Sequence, residues 1–377
     1  MSFILIFAAG GLVFLLLTMA ANILIFPTLR AEVVSPEKDT LPFVSVLIPA
    51  RNEAEVIGRT VTALLQQTYP HFEVIIMDDQ SDDGTGTIAQ AASAGDSRLR
   101  VIQGSKLPDG WMGKSWACQN LSQQANGDIL VFTDADVQWQ PSALSGLIAE
   151  MQRTQVGMVT VWPTQLTQTM GERLTVPLMA MVILGYLPLV MVHYSSWSWF
   201  AAANGQCMAW RRDAYEAIGG HTAVANNVLD DVTLAKLAKK TGYRIRMVDS
   251  AGLIHTRMYD SWAQVRDGFA KNILAGYGNH VAFLLFGIVF HWLLFVMPYG
   301  LLFFEDYRLM GVVLVLGGWA LRAVSAFFTR QRVLDTIFLP VTVILFTVIA
   351  VQSIRWHFTG GPRWKGRTLA QAKDNHS

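Results

Sequence analysis

The first 29 residues carry no ionisable side chain, and the run from Phe3 to Phe26 is long enough to cross a hydrocarbon core of ~30 Å. Such a segment commits one end of the chain to lipid, whatever the rest folds into. A cleavable leader would place basic residues ahead of its apolar run and small residues at the end of it. Here Arg30 and Lys38 follow the run instead. Residues 1–29 are expected to form an uncleaved transmembrane anchor. The chain beyond Arg30 is then expected on the cytoplasmic side of the cell (inner) membrane, by the positive-inside rule.

Composition agrees with a membrane protein that has a folded part. Only 15% of the 377 residues are charged and 52% are hydrophobic, whereas soluble domains carry about 25% charge. A net charge of +1 leaves no electrostatic footprint for nucleic acid. Two cysteines, Cys118 and Cys207, exclude a disulfide framework. Residues 280–354 hold three more apolar stretches, His280–Phe304, Leu309–Phe328 and Thr336–Ile354. The first and third read as membrane helices. The middle one contains Arg322 and is open to spanning, re-entry or packing inside a bundle. Three full crossings would carry the basic tail, residues 355–377, outside against the charge rule. A cytoplasmic tail with one incomplete crossing is therefore expected.

Residues 31–279 are enough for one α/β domain. Phe43–Ile48, Glu73–Met77, Leu99–Gln103 and Asp128–Phe132 read as buried strands, separated by helical patterns over Glu53–Gln67, Thr85–Ala94 and Lys114–Ala125. That alternation predicts βαβ units around a mostly parallel sheet. Ligands bind beyond the carboxyl ends of the strands in such sheets. The apolar segment 174–192 would split the domain from its base if it crossed the membrane. It is read as a buried or interfacial helix, with either a lipid-facing role or plain core packing.

Three predicted strand ends are polar: Pro49-Ala50-Arg51-Asn52-Glu53, Asp78-Asp79-Gln80-Ser81-Asp82-Asp83-Gly84-Thr85, and Thr133-Asp134-Ala135-Asp136. Carboxylates on neighbouring strands crowd together, and crowding raises their proton affinity unless a cation sits between them. Asp134 and Asp136 alternate across Ala135, a spacing suited to one hard ion, Mg2+ or Mn2+, that also takes phosphate oxygens and water. Asp-Gly clusters are also ordinary turn chemistry, so it is the coincidence of three such ends on one sheet that singles them out.

These three motifs, in this order, resemble the opening of glycosyltransferase family 2, the inverting enzymes of GT-A fold. Leu229-Asp230-Asp231-Val232-Thr233-Leu234, followed by Lys240-Thr241-Gly242-Tyr243-Arg244, resembles that family's acidic catalytic motif. Gly113-Lys114-Ser115-Trp116-Ala117 and Trp364-Lys365-Gly366-Arg367 are similar to membrane-bound members that glycosylate carotenoids, hopanoids or related lipids. The resemblance implies a GT-A domain with transmembrane helices at both ends and a UDP-sugar donor. It also implies inverting transfer of a single sugar to a hydroxyl of a membrane lipid. By position it assigns Ala50, Asn52 and Glu53 to the nucleobase and ribose, Asp79 to the uracil, Asp134 to the ribose or diphosphate, and Asp136 to the metal. Asp231 falls on the general base, with Asp230 beside it. Asp230 is alternatively a capping carboxylate of its helix. Lys114, at a predicted helix start, is either a phosphate ligand or a solvated surface lysine. Arg257, Arg266 and Lys271 are candidates for gripping the diphosphate or the acceptor. Gln264-Val265-Arg266-Asp267-Gly268 lacks the Arg and Trp of the processive synthases' Gln-x-x-Arg-Trp, which favours one transfer over chain elongation.

Two other classes stay in view. Gly84-Thr85-Gly86-Thr87-Ile88-Ala89 matches a dinucleotide fingerprint by letters, although four aspartates precede the glycines, a poor neighbourhood for a pyrophosphate. A membrane scaffold that binds a sugar nucleotide without turnover is the second. Within the enzymes, a synthase that loads sugar onto a polyprenyl phosphate is the alternative.

Overall fold

The structure is a computed structural model that describes residues 2–32 and 41–359, together with the backbone of 363–364 and 367–368. Most of the predicted basic tail, including the side chains of Arg363, Lys365 and Arg367, lies outside the described residues. Contacts divide the chain into two units.

One unit comprises the chain up to Ile25, Gln165–Leu189 and the chain from Met258. It is helical. Four of the described helices are long and apolar enough to cross a membrane: Phe3–Ile25, Val281–Leu301, Glu305–Phe328 and Val333–Phe358. The middle C-terminal stretch is thus an unbroken helix over Arg308–Phe328, with Arg322 buried inside the unit. The segment 174–192, expected to be one buried or interfacial helix, falls in two helices, Met170–Tyr186 and Leu189–Tyr194; the first is started by a capping box in which Thr169 and Glu172 bond each other's backbone N–H. Pro177 lies inside the first of them. Proline has no N–H to give to the carbonyl four residues back, and the Arg322 Nη2 donates to that carbonyl, of Arg173, at 3.4 Å. Arg173 itself forms a part-buried ion pair with Asp335, its Nε 2.9 Å from Oδ2. Asn22 stops the helix: its amide donates to the Leu184 and Leu187 carbonyls (2.8 and 2.7 Å) and accepts from the Leu189 N–H at 2.8 Å.

The other unit contains Phe26–Thr164 and Val190–Arg257 and is built on a seven-stranded sheet. In chain order the strands of this region are β1 (Val44–Ala50), β2 (Phe72–Asp78), β3 (Leu99–Gln103), β4 (Ile129–Thr133), β5 (Val137–Trp139), β6 (Met158–Trp162), β7 (Thr164–Gln165), β8 (Cys207–Arg211), β9 (Ile245–Asp249) and β10 (Ile254–Thr256). The sheet order is β3-β2-β1-β4-β8-β6-β9, parallel except at β8, which runs antiparallel to both neighbours. β1, β2 and β4 read as largely apolar runs rather than alternating ones, as strands of a parallel sheet buried on both faces do. Val46, Leu47, Ile48, Val74, Ile75, Ile76, Leu130 and Val131 are fully buried, each contributing about 1.5–3 kcal/mol. Residues after the first helix guard the β9 edge, with the Leu29 N–H donating to the Asp249 carbonyl and the Asp249 N–H to that of Pro27, both at 2.8 Å. β2, β1 and β4 are neighbours, so their carboxyl ends, which carry the three polar motifs, lie side by side.

Candidate active site

The β1 and β2 ends are locked to each other by hydrogen bonds that the motif residues themselves supply. The Asp79 N–H donates to the Ala50 carbonyl at 2.8 Å. Asn52 sits at φ +53°, uncommon for a non-glycine residue. Its N–H donates to Ser81 Oγ at 3.0 Å, and its side-chain oxygen accepts from the Asp82 N–H at 3.1 Å. The Glu53 N–H donates to Thr85 Oγ1 at 2.8 Å, and the Arg51 guanidinium to the Asp79 carbonyl at 2.6 Å. Ala50 and Asp79 are buried at this junction. Gly86 is small for a reason unrelated to dinucleotides: a Cβ there would lie 2.5 Å from Asp78 Oδ2. The second glycine of the apparent fingerprint therefore makes room for a carboxylate.

The β4 end is held just as firmly. Thr60 Oγ1 donates to the Ala135 carbonyl at 2.7 Å and accepts from the Gln138 amide at 2.8 Å, which fixes the Asp134-Ala135-Asp136 turn. Asp134 Oδ1 pairs with Lys114 Nζ at 2.6 Å. Asp136 Oδ2 accepts from Thr256 Oγ1 at 3.0 Å, a bond made possible by the antiparallel pairing of β10 with β5. Burial pushes the Asp136 carboxyl up to about 7, the charges of Asp134 and Glu53 add to that, and the Thr256 bond opposes it. Lys114 begins the helix Gly113–Gln124. Its burial works against the charge, but the carboxylates of Asp134 and Asp230 outweigh that and hold the ammonium charged.

Asp230 and Asp231 open the helix Asp230–Lys240. Leu229, not Asp230, is the capping residue, and no side chain caps the helix. Asp231 is gripped at both oxygens: Oδ1 accepts from the Val232 N–H at 2.7 Å and Oδ2 from the Gly205 N–H at 2.8 Å. Burial raises its carboxyl to about 6 and the Asp230 charge adds to that, while the two N–H groups and Lys114 hold it from rising further. Lys114 Nζ also donates to the Gly205 carbonyl at 3.2 Å. The Lys114–Asp134 pair and Asp231 thus share Gly205.

The remaining basic candidates divide between the two units. Arg257 ends the sheet unit, whereas Arg266 and Lys271 lie on the helix Trp262–Gly276 of the helical unit. Arg266 is bonded to its neighbour Asp267, Nε to Oδ1 at 2.7 Å. Sequence reasoning did not single out Gly205, Thr256, His221 or Tyr215. They join the carboxylates by tertiary contact from distant segments, and no spacing signals them.

A divalent cation fits this donor set. Glu53, Asp134 and Asp136 face one another electrostatically, and a cation relieves that repulsion. No three His, Cys, Asp or Glu among the described residues converge on one point. Such a set suits a hard ion that shares its coordination with diphosphate oxygens and water.

A mostly parallel α/β sheet with acidic strand ends and an acidic helix start across from them defines a GT-A glycosyltransferase fold. Residues 42–271 match the model of glycosyltransferase like family 2, and the chain belongs to that family. It is 27% identical over 254 residues to a 4,4'-diaponeurosporenoate glycosyltransferase of Staphylococcus haemolyticus, a match covering 65% of this chain and 63% of that protein. The chain therefore spans just under two thirds of that relative's length. An enzyme of the same name from Staphylococcus aureus is 26% identical over 342 residues, covering 88% of this chain and 89% of that one. A mannosyltransferase from Pyrobaculum calidifontis, solved in complex with GDP-Man and Mn2+, is similar in fold. Its TM-score is 0.55 at 19% identity, over 93% of this chain and 98% of that one.

Proposed function

We propose that the protein transfers one hexose from a UDP-sugar, with inversion, to a hydroxyl of a membrane polyisoprenoid lipid of carotenoid or hopanoid type. The observation that carries this reading is the Asp231 carboxylate, half-buried, held by two N–H groups and raised to about 6. A base with that proton affinity takes the proton of an attacking hydroxyl near neutral pH. One base acting without a covalent intermediate gives inversion. Ala50, Asn52, Glu53 and Asp79 hold the uridine, Lys114 and Asp134 meet the ribose and diphosphate, and Asp136 holds Mg2+ or Mn2+. When bound there, such an ion would supply positive charge against the departing diphosphate. The apolar helices support a multi-pass protein of the cell membrane, with the sheet unit following Arg30 on the cytoplasmic side.

The relatives' name favours a second acceptor chemistry, because diaponeurosporenoate is a carboxylate. A carboxylate arrives ionised and needs no base, so the two acceptors predict different dependence on Asp231.

Membranes containing the chain, given labelled UDP-glucose, Mg2+ or Mn2+ and a membrane-lipid extract, test the proposal. Metal-dependent label in a neutral glycolipid supports it. Label in an ester cleaved by hydroxylamine supports the carboxylate acceptor. Label in an acid-labile phosphodiester assigns a polyprenyl-phosphate synthase instead. Binding without transfer across a panel of sugar nucleotides assigns a scaffold.

A further inference from the structure

Behind Asp231 lies a buried polar chain that no step above uses. The helix Arg212–Ala217 carries Tyr215, whose phenol oxygen accepts from the His221 backbone N–H at 3.1 Å and lies 2.7 Å from His221 Nδ1. His221 is fully buried between the rings of Phe132 and Tyr215. Its second nitrogen, Nε2, lies 3.9 Å from Asp230 Oδ2. Neither of these two atoms has a hydrogen-bond partner among the described residues, although both are buried. A buried polar atom left alone is costly, and at 3.9 Å the two lie within ion-pair distance of each other, longer than a hydrogen bond.

The tautomer follows from the same neighbours. The Asp230 carboxylate oxygen accepts only, which places the imidazole proton on Nε2; Nδ1 is then the acceptor for the Tyr215 phenol, 2.7 Å away. The opposite tautomer would aim a lone pair at the Asp230 carboxylate. Burial, with the Lys114 ammonium nearby, pushes the imidazole down to about 3 and keeps it neutral.

We propose that His221 is a positioning residue for sugar transfer: with its proton on Nε2, facing Asp230 Oδ2 at 3.9 Å, it offsets that charge beside the base. The proposal rests on Asp231 being the base. The charged and titratable groups around Asp231 are Asp230 on its own helix and Lys114 on the Gly113 helix, where the Cys118 thiol faces both Lys114 and Asp230. When the Nε2–H donor is lost, the Asp230 charge acts on Asp231 less opposed, so Asp231 holds its proton to higher pH.

The test is the pH dependence of single-turnover transfer by the full-length protein in nanodiscs, alongside UDP-sugar affinity with metal. His221→Phe is expected to move the acid limb up by about one pH unit, which is tenfold in rate at a fixed pH below the limb. Donor affinity should change less than twofold. His221→Gln, which keeps an N–H donor, is expected to return the limb toward its original position, and Tyr215→Phe to move it partway. An unmoved limb in His221→Phe with donor affinity intact overturns the proposal. If that variant does not fold, Tyr215→Phe decides by the same criterion. Independently, 15N spectra of ring-labelled histidine, assigned by difference with His221→Gln, should show an Nε2-protonated neutral ring from pH 5 to 8. An Nδ1-protonated ring overturns the proposal. Full transfer by Asp231→Asn would overturn the base assignment instead and leave that spectrum unchanged.

Discussion

Lys114 and Asp231 are joined through a single residue, since Gly205 offers its carbonyl to the Lys114 ammonium at 3.2 Å and its N–H to Asp231 Oδ2 at 2.8 Å. The segment just before β8 therefore couples the ammonium paired with Asp134 to the carboxylate proposed as base. A Cβ at this position would lie 3.3 Å from Asp231 Oδ2, close enough to displace the carboxylate by a few tenths of an ångström. Gly205→Ala is expected to lower the transfer rate about tenfold, because reacting groups tolerate little misplacement. UDP-sugar affinity, measured by calorimetry, should stay the same.

Lys114→Met removes the ammonium from Asp134 and from the Gly205 carbonyl. If Lys114 meets the diphosphate as proposed, one charge-assisted contact to the donor goes with it, and the Kd for UDP-sugar should weaken about tenfold. The Lys114 charge also helps keep Asp231 from rising. The acid limb of the rate profile should therefore move up in this variant, which a pH series on the same preparation reads directly.

Asp231 is pushed up to about 6, and it must be ionised to take a proton. With a hydroxyl acceptor, the rate of the wild type should rise tenfold per pH unit below 6 and level off above it. With a carboxylate acceptor the limb should be absent.

Asp136 is pushed up to about 7, above the ordinary carboxylate value near 3.9. The folded state thus holds that proton more tightly than the unfolded chain. Between about pH 4 and 7 the folded state binds more protons, so stability falls as pH rises through this window. A bound divalent ion offsets the loss. Mn2+ is expected to raise the melting temperature of the sheet unit more at pH 8 than at pH 5, and Asp136→Asn to abolish both the pH slope and the metal effect.

The parts of this site that were readable in the sequence are those set by local pattern. Largely apolar runs such as Val44–Ala50 and Phe72–Asp78 mark buried parallel strands, and Asn52, Asp79 and Asp136 follow the ends of such runs. Asp230 and Asp231 were readable through the resemblance of Leu229-Asp230-Asp231-Val232-Thr233-Leu234 to the family's acidic catalytic motif. The supports were not readable: Thr256 reaches Asp136 through a strand pairing 120 residues away in sequence, and Gly205 reaches Asp231 through a backbone N–H that any residue possesses. His221, in a short turn rich in glycine, carries no periodicity at all. Arg322 was visible as an intramembrane charge. That its guanidinium reaches a carbonyl freed by Pro177 on another helix needed the packed unit.

The most direct test compares Asp231→Asn and Asp136→Ala with the wild type for two readings on one preparation, UDP-sugar binding with Mn2+ and transfer to lipid. Asp231→Asn is expected to bind the donor normally and to lose 10²–10⁴-fold in transfer to a hydroxyl lipid, the range a general base supplies. Asp136→Ala is expected to lose metal-dependent binding as well as transfer. Transfer at the wild-type rate by either variant, on a hydroxyl acceptor at saturating donor, would contradict the account.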